Sequence, residues 1–512
     1  MLTAAPPVSR STKDMNFKQI ASRLDAENQL ISRPRFDRTT ITGVTSDSRE
    51  VDEGDLFIAV RGTSHDGHEF IPEAIEQGAS AIVAEEVVDQ PGSHDVPVVT
   101  VRNSRQSEGL CADEFYGNPS DQMTLIGVTG TNGKTTTVKL IHELLEGIGH
   151  STGLIGTIDN RVGQRVIPSD RTTPPPCKLH SLLDQMKENG CSYAVLEVSS
   201  HGLDQDRVSG VSFDAAVFTN LSRDHLDYHG SMEAYRDAKA KLFERLPGTG
   251  IGVVNADNEH ASAMSAACDG RVVTYSRSSD GSRYAADVSS TNITGSSWEM
   301  ITETSSQAVN WMLPGTHNIE NAMAAVATVR ELTGANLPAM SSVLEDVEPA
   351  RGRLDPVSWD GDFEVFVDYA HTPDALENVL SGVSPLVEGS VRAVFGCGGD
   401  RDRGKRPKMG RVVDRYADQM YVTSDNPRSE KPEAIIDDIL EGIERTDGYV
   451  VDPDRESAIQ RAIQDAEPGD AVLILGKGHE MVQKQDGVVK PFKDWAVAEK
   501  HLDRRKQDAG IS

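Results

Sequence analysis

The run Thr124-Leu-Ile-Gly-Val-Thr-Gly130-Thr-Asn-Gly-Lys134-Thr-Thr136 decides how the rest of the chain is read. It opens with a short apolar stretch of strand type. After it, Val138, Ile141, Leu144, Leu145 and Ile148 recur at helical spacing. The order is therefore strand, glycine loop, helix. In that setting Gly130, Thr131, Asn132 and Gly133 form a phosphate cradle. Glycine lets backbone N–H groups approach phosphate oxygens, and the helix N-terminus adds partial positive charge. Lys134 reaches the outer phosphates, Thr135 stands where a phosphate loop binds Mg²⁺, and Thr136 follows. One position departs from the strict pattern: Val128 stands where a glycine is usual. The competing reading is a tight glycine turn between strand and helix.

Further along, the same arrangement recurs: an apolar strand ends and polar chemistry begins at once. Tyr193–Glu197 runs into Val198-Ser-Ser-His-Gly202, and Ala215–Thr219 into Asn220-Leu-Ser-Arg-Asp224-His225. Phe363–Val367 runs into Asp368-Tyr-Ala-His-Thr-Pro373, and Val391–Phe395 into Gly396-Cys-Gly-Gly-Asp400-Arg401. Gln419–Thr423 runs into Ser424-Asp-Asn-Pro-Arg428, and Ala471–Leu475 into Gly476-Lys-Gly-His-Glu480. Ligands of open α/β sheets bind outside the carboxyl ends of parallel strands. Each end alone could be an ordinary strand-to-helix turn. Together they predict an α/β protein whose sites face one another.

The chain has 512 residues, too many for one core and enough for about three domains. A split near Pro119 and a second linker over 349–356, containing Arg351-Gly-Arg353, give boundaries. The expected division is a partly disordered leader over 1–34, then 35–119, 120–348 and 349–512. Met15 is a second candidate start. Residues 276–308, rich in Ser and Thr with alternating apolar positions, predict antiparallel strands at the edge of the central unit. No apolar run is long enough to span a membrane, and no signal-type core opens the chain. The net charge of −29 disfavours nucleic acid and anionic membrane as partners. Five scattered cysteines without CxxC spacing argue against a disulfide framework or zinc site and fit a reducing cytoplasm.

Phosphoryl transfer needs Mg²⁺ and fixed positive charge where negative charge accumulates. Thr135, Glu197 and His225 are the candidate ligands. Glu197 is a carboxylate at the end of an apolar strand, a costly place without a partner. That partner is either a metal or an arginine. His225 lies in a polar run, where a loop histidine bonded to backbone is the plainer reading. Lys239, by composition, is a surface lysine laying its stem on Leu242 and Phe243.

Gly130–Thr136, Glu197–Gly202, Asn220–Gly230, Asp368–Pro373 and Asp425–Arg428 occur in the order that resembles the Mur ligases of peptidoglycan synthesis. The closer likeness is to the members that add the third residue of the stem peptide. The resemblance covers about residues 40 to 500. It implies an N-terminal UDP-binding α/β domain, a central P-loop ATPase-like domain and a C-terminal Rossmann-like domain. It also implies that Lys239 carries a carbamate derived from CO₂ that helps hold Mg²⁺, which overturns the surface reading. The resemblance makes Lys134, His225 and Lys239 the catalytic set. Asn318, Arg353 and Asp368 join the phosphate loop as ATP contacts. Ser46, Ser48, Thr63, Ser64 and His65 are implied for the uridine pocket. Thr172, Thr173, Ser199, Gln205 and Arg207 are implied for the grip on the sugar peptide.

The substrates so implied are ATP, UDP-MurNAc-L-Ala-D-Glu and an amino acid, used by a cytoplasmic monomer. A far carboxylate on that amino acid calls for a bidentate arginine, and a far ammonium for an acid. Arg428 of Asp425-Asn426-Pro427-Arg428 suits the first task, with Arg401 in support. Glu480 suits the second, with the Gly476 backbone. The expected addition is therefore meso-diaminopimelate. L-lysine, or the chemistry of a folylpolyglutamate synthase-like ligase, is the alternative.

Overall fold

The computed structural model describes residues 13–32, 38–62, 65–86, 96–277 and 281–508. Three sheets organise them. A four-stranded parallel sheet takes strands Gly43–Thr45, Asp55–Ile58, Ala81–Ala84 and Val98–Thr100 in that spatial order. Helix Phe17–Ala26 covers it, capped by Asn16 and Gln19 in a reciprocal capping box. Phe17, Ile20 and Leu24 recur on one face of that helix and are wholly buried against Leu56, Ile58 and Val83. Each such side chain contributes about 1.5–3 kcal/mol. The segment set apart as a leader, 1–34, therefore belongs to the N-terminal core from Met15 through Ala26. Its apolar spacing at 17, 20 and 24 was the signal.

The central sheet has eleven strands. Thr124–Thr129 lies in its middle, between Tyr193–Glu197 and Ala215–Phe218, and parallel to both. These three strands are buried on both faces because helices cover both, which explains their unbroken apolar character. Helices Lys134–Gly147 and Thr316–Thr333 pack together on one face. The Ser/Thr-rich region forms the antiparallel strands Tyr284–Asn292, Gly295–Thr302 and Ser306–Trp311 at the sheet edge, as expected.

The C-terminal sheet has six strands. Ala471–Leu475 lies between Glu364–Asp368 and Val391–Phe395, so its end opens where the strand order reverses. Within the expected second linker, 349–356, the chain is anchored at its glycine. Gly352 has φ +68°, and a Cβ there would sit 2.3 Å from the His479 nitrogen. Only glycine fits, and the turn is locked to the C-terminal sheet by Tyr369 N donating to Gly352 O at 2.9 Å.

One buried ion pair joins the loops of this sheet. The Arg455 guanidinium donates to both carboxylate oxygens of Asp494 at 2.7 Å, and both side chains are 0% exposed. It also donates to Ser424 O at 3.2 Å and Leu475 O at 3.0 Å. Those carbonyls directly precede Asp425-Asn-Pro-Arg428 and Gly476-Lys-Gly-His-Glu480. Removing one partner of such a pair leaves an uncompensated buried charge and costs about 3–5 kcal/mol. Asp494→Ala is accordingly expected to lower the denaturant midpoint of the C-terminal sheet while leaving the N-terminal sheet unchanged. Hydrogen exchange of the two sheets read separately checks this; equal loss in both would be the wrong outcome.

Candidate active site

The phosphate loop turns through Gly130 and Gly133, the latter at φ +82°. A Cβ on Gly133 would meet Asn321 Oδ1 at 2.3 Å, so this glycine is needed for space as well as for backbone angle. Lys134 Nζ donates to Gly130 O and to Thr131 O, each at 2.9 Å. Lys239 Nζ donates to the same Gly130 O at 2.8 Å. Lys239 is 1% exposed and lies over the Tyr235 ring, 4.4 Å from its centroid. Burial pushes its amine well below the ordinary lysine value, and the neighbouring Lys134 pushes it further. Burial also lowers Lys134, with Glu197 working against the shift.

Glu197 is 1% exposed at the end of its strand. Its Oε2 accepts from Thr135 Oγ1 and Thr157 Oγ1, each at 3.0 Å, and its Oε1 accepts from Thr157 N at 2.8 Å. The strand end is thus closed by a hydroxyl of the phosphate helix and by the turn at Thr157. Arg353 Nη2 donates to Thr135 Oγ1 at 3.4 Å and its guanidinium lies 4.9 Å from the Tyr369 ring centroid. A cavity of about 80 Å³ opens beside Thr135 and Glu197, with Arg161, Lys139 and Arg351 also in its wall.

His225 takes a left-handed backbone, φ 52°, after Asp224. Its Nε2 is 3.3 Å from Asp224 Oδ2 and its ring stands edge-on to His201 at 4.7 Å. Partial burial holds it below the usual imidazole range, Asp224 opposes the shift, and Lys134 and Lys239 reinforce it. Burial brings His201 down to about 4. The His201 ring is therefore neutral at pH 7.

The expected ATP contacts divide. Arg353 reaches the loop. Asp368 is buried and spends its oxygens on backbone, accepting from Leu354 N and Ala370 N at 2.7 Å each. It secures the turn that carries Arg353. Asn318 is 3% exposed and donates its amide to Pro314 O at 2.8 Å. Asn321, one helical turn on, is the amide that packs against Gly133 and accepts from Thr137 Oγ1 at 3.3 Å. Its helical spacing from Asn318 was a signal that went unused.

Behind Glu197, the expected sugar-peptide residues form one hydrogen-bonded group. Thr173 Oγ1 donates to Glu197 O at 2.9 Å and lies 3.2 Å from Ser199 Oγ. Arg207 donates to Thr173 O at 2.9 Å and to Gln205 Oε1 at 2.7 Å. Thr172 Oγ1 lies 3.0 Å from Thr157 Oγ1. From the N-terminal sheet, Ser46 Oγ donates to Glu108 Oε1 at 2.9 Å. The same oxygen accepts from Cys177 N at 3.4 Å, which joins the two units. Ser48 bonds Glu73 on its own unit, 3.3 Å away, and His65 is exposed. Thr63 and Ser64 lie outside the described residues.

In the C-terminal unit Arg428 has φ 55°. Its Nη1 donates to Gly399 O at 2.6 Å, and Nε and Nη2 have no acceptor among the described residues. Exposed Arg401 flanks the same Gly398 turn. Glu480 differs from expectation: it is already held, by Lys477 Nζ at 2.9 Å and Asn426 Nδ2 at 2.7 Å. Burial would raise its carboxyl, but Lys477 and these hydrogen bonds outweigh it and hold it below the usual range. Pro427 packs on Gly399, and Gly476 turns at φ +115° beside Asp425.

Fold and site together define a P-loop α/β protein with a second polar site at the strand ends of its C-terminal sheet. Residues 128–329 match the Mur ligase middle domain, 352–478 the Mur ligase glutamate ligase domain, and 40–115 the Mur ligase family catalytic domain. A relative from Geobacillus kaustophilus, "UDP-N-acetylmuramoyl-L-alanyl-D-glutamate--2,6-diaminopimelate ligase", is 45% identical over 471 residues, 90% of this chain and 94% of that protein. A solved structure of a ligase with that name is 33% identical, covers 96% of this chain and 99% of that one, and has a TM-score of 0.68. Folylpolyglutamate synthase of Mycobacterium tuberculosis, at 20% identity, TM-score 0.58 and 77% of this chain, shares the fold. The chain belongs to the Mur ligase family.

Lys239 makes a test of the site's charge possible. Its folded pKa lies below the ordinary 10.5, so the unfolded chain binds more protons between the two values. Stability should therefore rise with pH through that interval. In CO₂-free buffer without nucleotide, Lys239→Met is expected to flatten this rise, as measured by denaturant titration from pH 7 to about 10. An unchanged slope would contradict the lowered pKa of the buried amine.

Proposed function

We propose that this chain is an ATP-dependent ligase joining meso-2,6-diaminopimelate to UDP-MurNAc-L-Ala-D-Glu in peptidoglycan precursor synthesis. The 45% identity to a ligase of that name over 90% of the chain carries the reading. The two unoccupied donors of Arg428 support the choice of amino acid, because a second carboxylate is what diaminopimelate has and lysine lacks. The folate-type reading shares the fold, but the matched N-terminal family segment at 40–115 favours a UDP-linked substrate. The reading includes a cytoplasmic location and a monomeric state; no described helix is long and apolar enough to cross a membrane.

The N-terminal unit takes the UDP end, through Ser46 and its neighbours. The central unit, 120–348, takes ATP on Gly130–Thr136. The C-terminal unit, 349–512, takes the amino acid. Among the described residues no cluster of three or more His, Cys, Asp or Glu is arranged for a metal. The donor set fits Mg²⁺ nonetheless: Thr135 and Glu197 offer hard oxygens 3.0 Å apart at the phosphate loop, and substrate phosphates complete such a site. His225 and a carbamate on Lys239 would hold a second ion. Bound there, Mg²⁺ would neutralise charge on the transferring phosphoryl group.

The residues' own tasks follow. The neutral Lys239 amine adds to CO₂; a C–N bond forms, a proton leaves, and a cationic crowding becomes an anionic oxygen ligand. Lys134 and Arg353 face the γ-phosphate. The D-glutamate γ-carboxylate attacks phosphorus, ADP leaves, and an acyl phosphate forms. Arg428 and Glu480 orient diaminopimelate so that its amine attacks the acyl carbon, releasing phosphate and a proton. Positioning and electrostatics supply the rate, without a covalent enzyme intermediate.

Phosphate release should require the UDP substrate and diaminopimelate together, with lysine failing to replace it. Release with lysine instead would keep the ligase and overturn the pocket. Lys239→Ala should lose about a hundredfold or more in kcat, and ¹³C-bicarbonate should give a carbamate signal in the parent enzyme that the variant lacks. Full activity in that variant would exclude the carbamate.

A further inference from the structure

Glu480 faces the amino-acid site with one oxygen already spent. Its Oε2 receives both Lys477 Nζ and Asn426 Nδ2, while Oε1 makes no hydrogen bond among the described residues. Its side chain is 31% exposed, whereas that of Lys477 is 0% exposed. We propose that Lys477 is a positioning residue for amino-acid recognition: it pins Glu480 and Asn426 so that Glu480 Oε1 meets the far ammonium of diaminopimelate. This rests on the proposed function.

Three observations carry it. An ammonium has three protons, and Lys477 gives one each to Asn426 Oδ1 at 3.2 Å, Glu480 Oε2 at 2.9 Å and Val482 O at 2.8 Å. It has none left for a substrate. It ties together the Asn-Pro-Arg loop, its own loop and the hairpin Val482–Gln485 with Val488–Pro491. Second, the orientation of Asn426 is forced. Its Oδ1 accepts from Lys477 Nζ and from Lys484 N at 2.9 Å; reversed, its NH₂ would face two donors.

Third, the same hairpin holds Arg428. Arg428 N donates to Lys484 O at 2.9 Å and Asp486 N donates to Arg428 O at 2.6 Å. These bonds bracket a residue in the left-handed region, which a non-glycine side chain adopts only when its surroundings impose it. The hairpin thus sets Arg428 through backbone bonds of its own, whereas Lys477 is the buried anchor of the acid. Each of the three Lys477 protons has an acceptor, so its burial leaves no donor unsatisfied.

The experiment compares meso-diaminopimelate with 2-aminopimelate, which keeps the far carboxylate and lacks the far amine. Lys477→Met is expected to raise KM for diaminopimelate about tenfold, with KM for 2-aminopimelate, ATP and the UDP substrate unchanged. The double variant with Glu480→Gln should be no worse than Glu480→Gln alone. If Lys477→Met gives no folded protein, Lys477→Gln, which keeps two N–H donors but no charge, is read in the same comparison. Equal rises for both amino acids, a rise for ATP, or additive effects in the double variant would overturn the role. A parent enzyme that uses both amino acids equally well would remove the Glu480 reading and this one with it. A parent that prefers diaminopimelate beside an unaffected variant would remove Lys477's role alone.

Discussion

Two lysine side chains end on one carbonyl oxygen, and the central site is organised by that fact. Lys134 and Lys239 both donate to Gly130 O, at 2.9 and 2.8 Å. Like unit charges 4 Å apart repel by about 4 kcal/mol at an effective dielectric of 20. Burial of Lys239 makes a second ammonium more costly still. The pair is tolerable when one amine is neutral or when anions arrive. In the proposed reaction a phosphate chain would supply anions on one side, and the proposed carbamate on Lys239 would supply one on the other. Gly130 has a carbonyl to share because its loop leaves the strand before the helix hydrogen bonds begin.

Glu197 couples this site to the next. Its side chain closes on Thr135 and Thr157, while its carbonyl receives Thr173. The group formed by Thr173, Ser199 and Arg207 is therefore anchored to the strand that ends at the phosphate helix. In the proposed reaction, a substrate gripped by that group would have its reacting end set relative to the phosphates by one strand. Such fixed geometry converts an encounter of three molecules into an ordered local reaction.

Much of the fold was legible because parallel strands buried on both faces are written as apolar runs, each followed by abrupt polarity. All six polar strand ends lie at or within a residue of the observed carboxyl ends. The N-terminal helix was harder to see. Ten residues with Phe17, Ile20 and Leu24 on one face resemble a polar tail when read by composition. Within the site, motif residues stood out, but partners did not. Thr157, Asn321 and Lys477 act through contacts made across long stretches of chain, such as Thr157 with Glu197 and Lys477 with Asn426. Asp368 and Glu480 show the converse. Their positions were legible, but not that other protein groups already occupy both oxygens of Asp368 and one oxygen of Glu480.

The charge of −29 sits on a protein whose proposed substrates are themselves anions. Long-range repulsion fades over about 8 Å at physiological ionic strength, so net charge governs approach more than binding. What binds is local. Lys134, Lys239 and Arg353 converge on one strand end, and Arg428 keeps donors unspent at another. Many other basic residues are matched by neighbouring acids, as in Arg406 with Glu430 and Asp438, or Arg271 and Arg283 with Glu331. Selectivity for anionic substrates then arises from desolvated, preorganised contacts at the strand ends, and an acidic exterior is compatible with it.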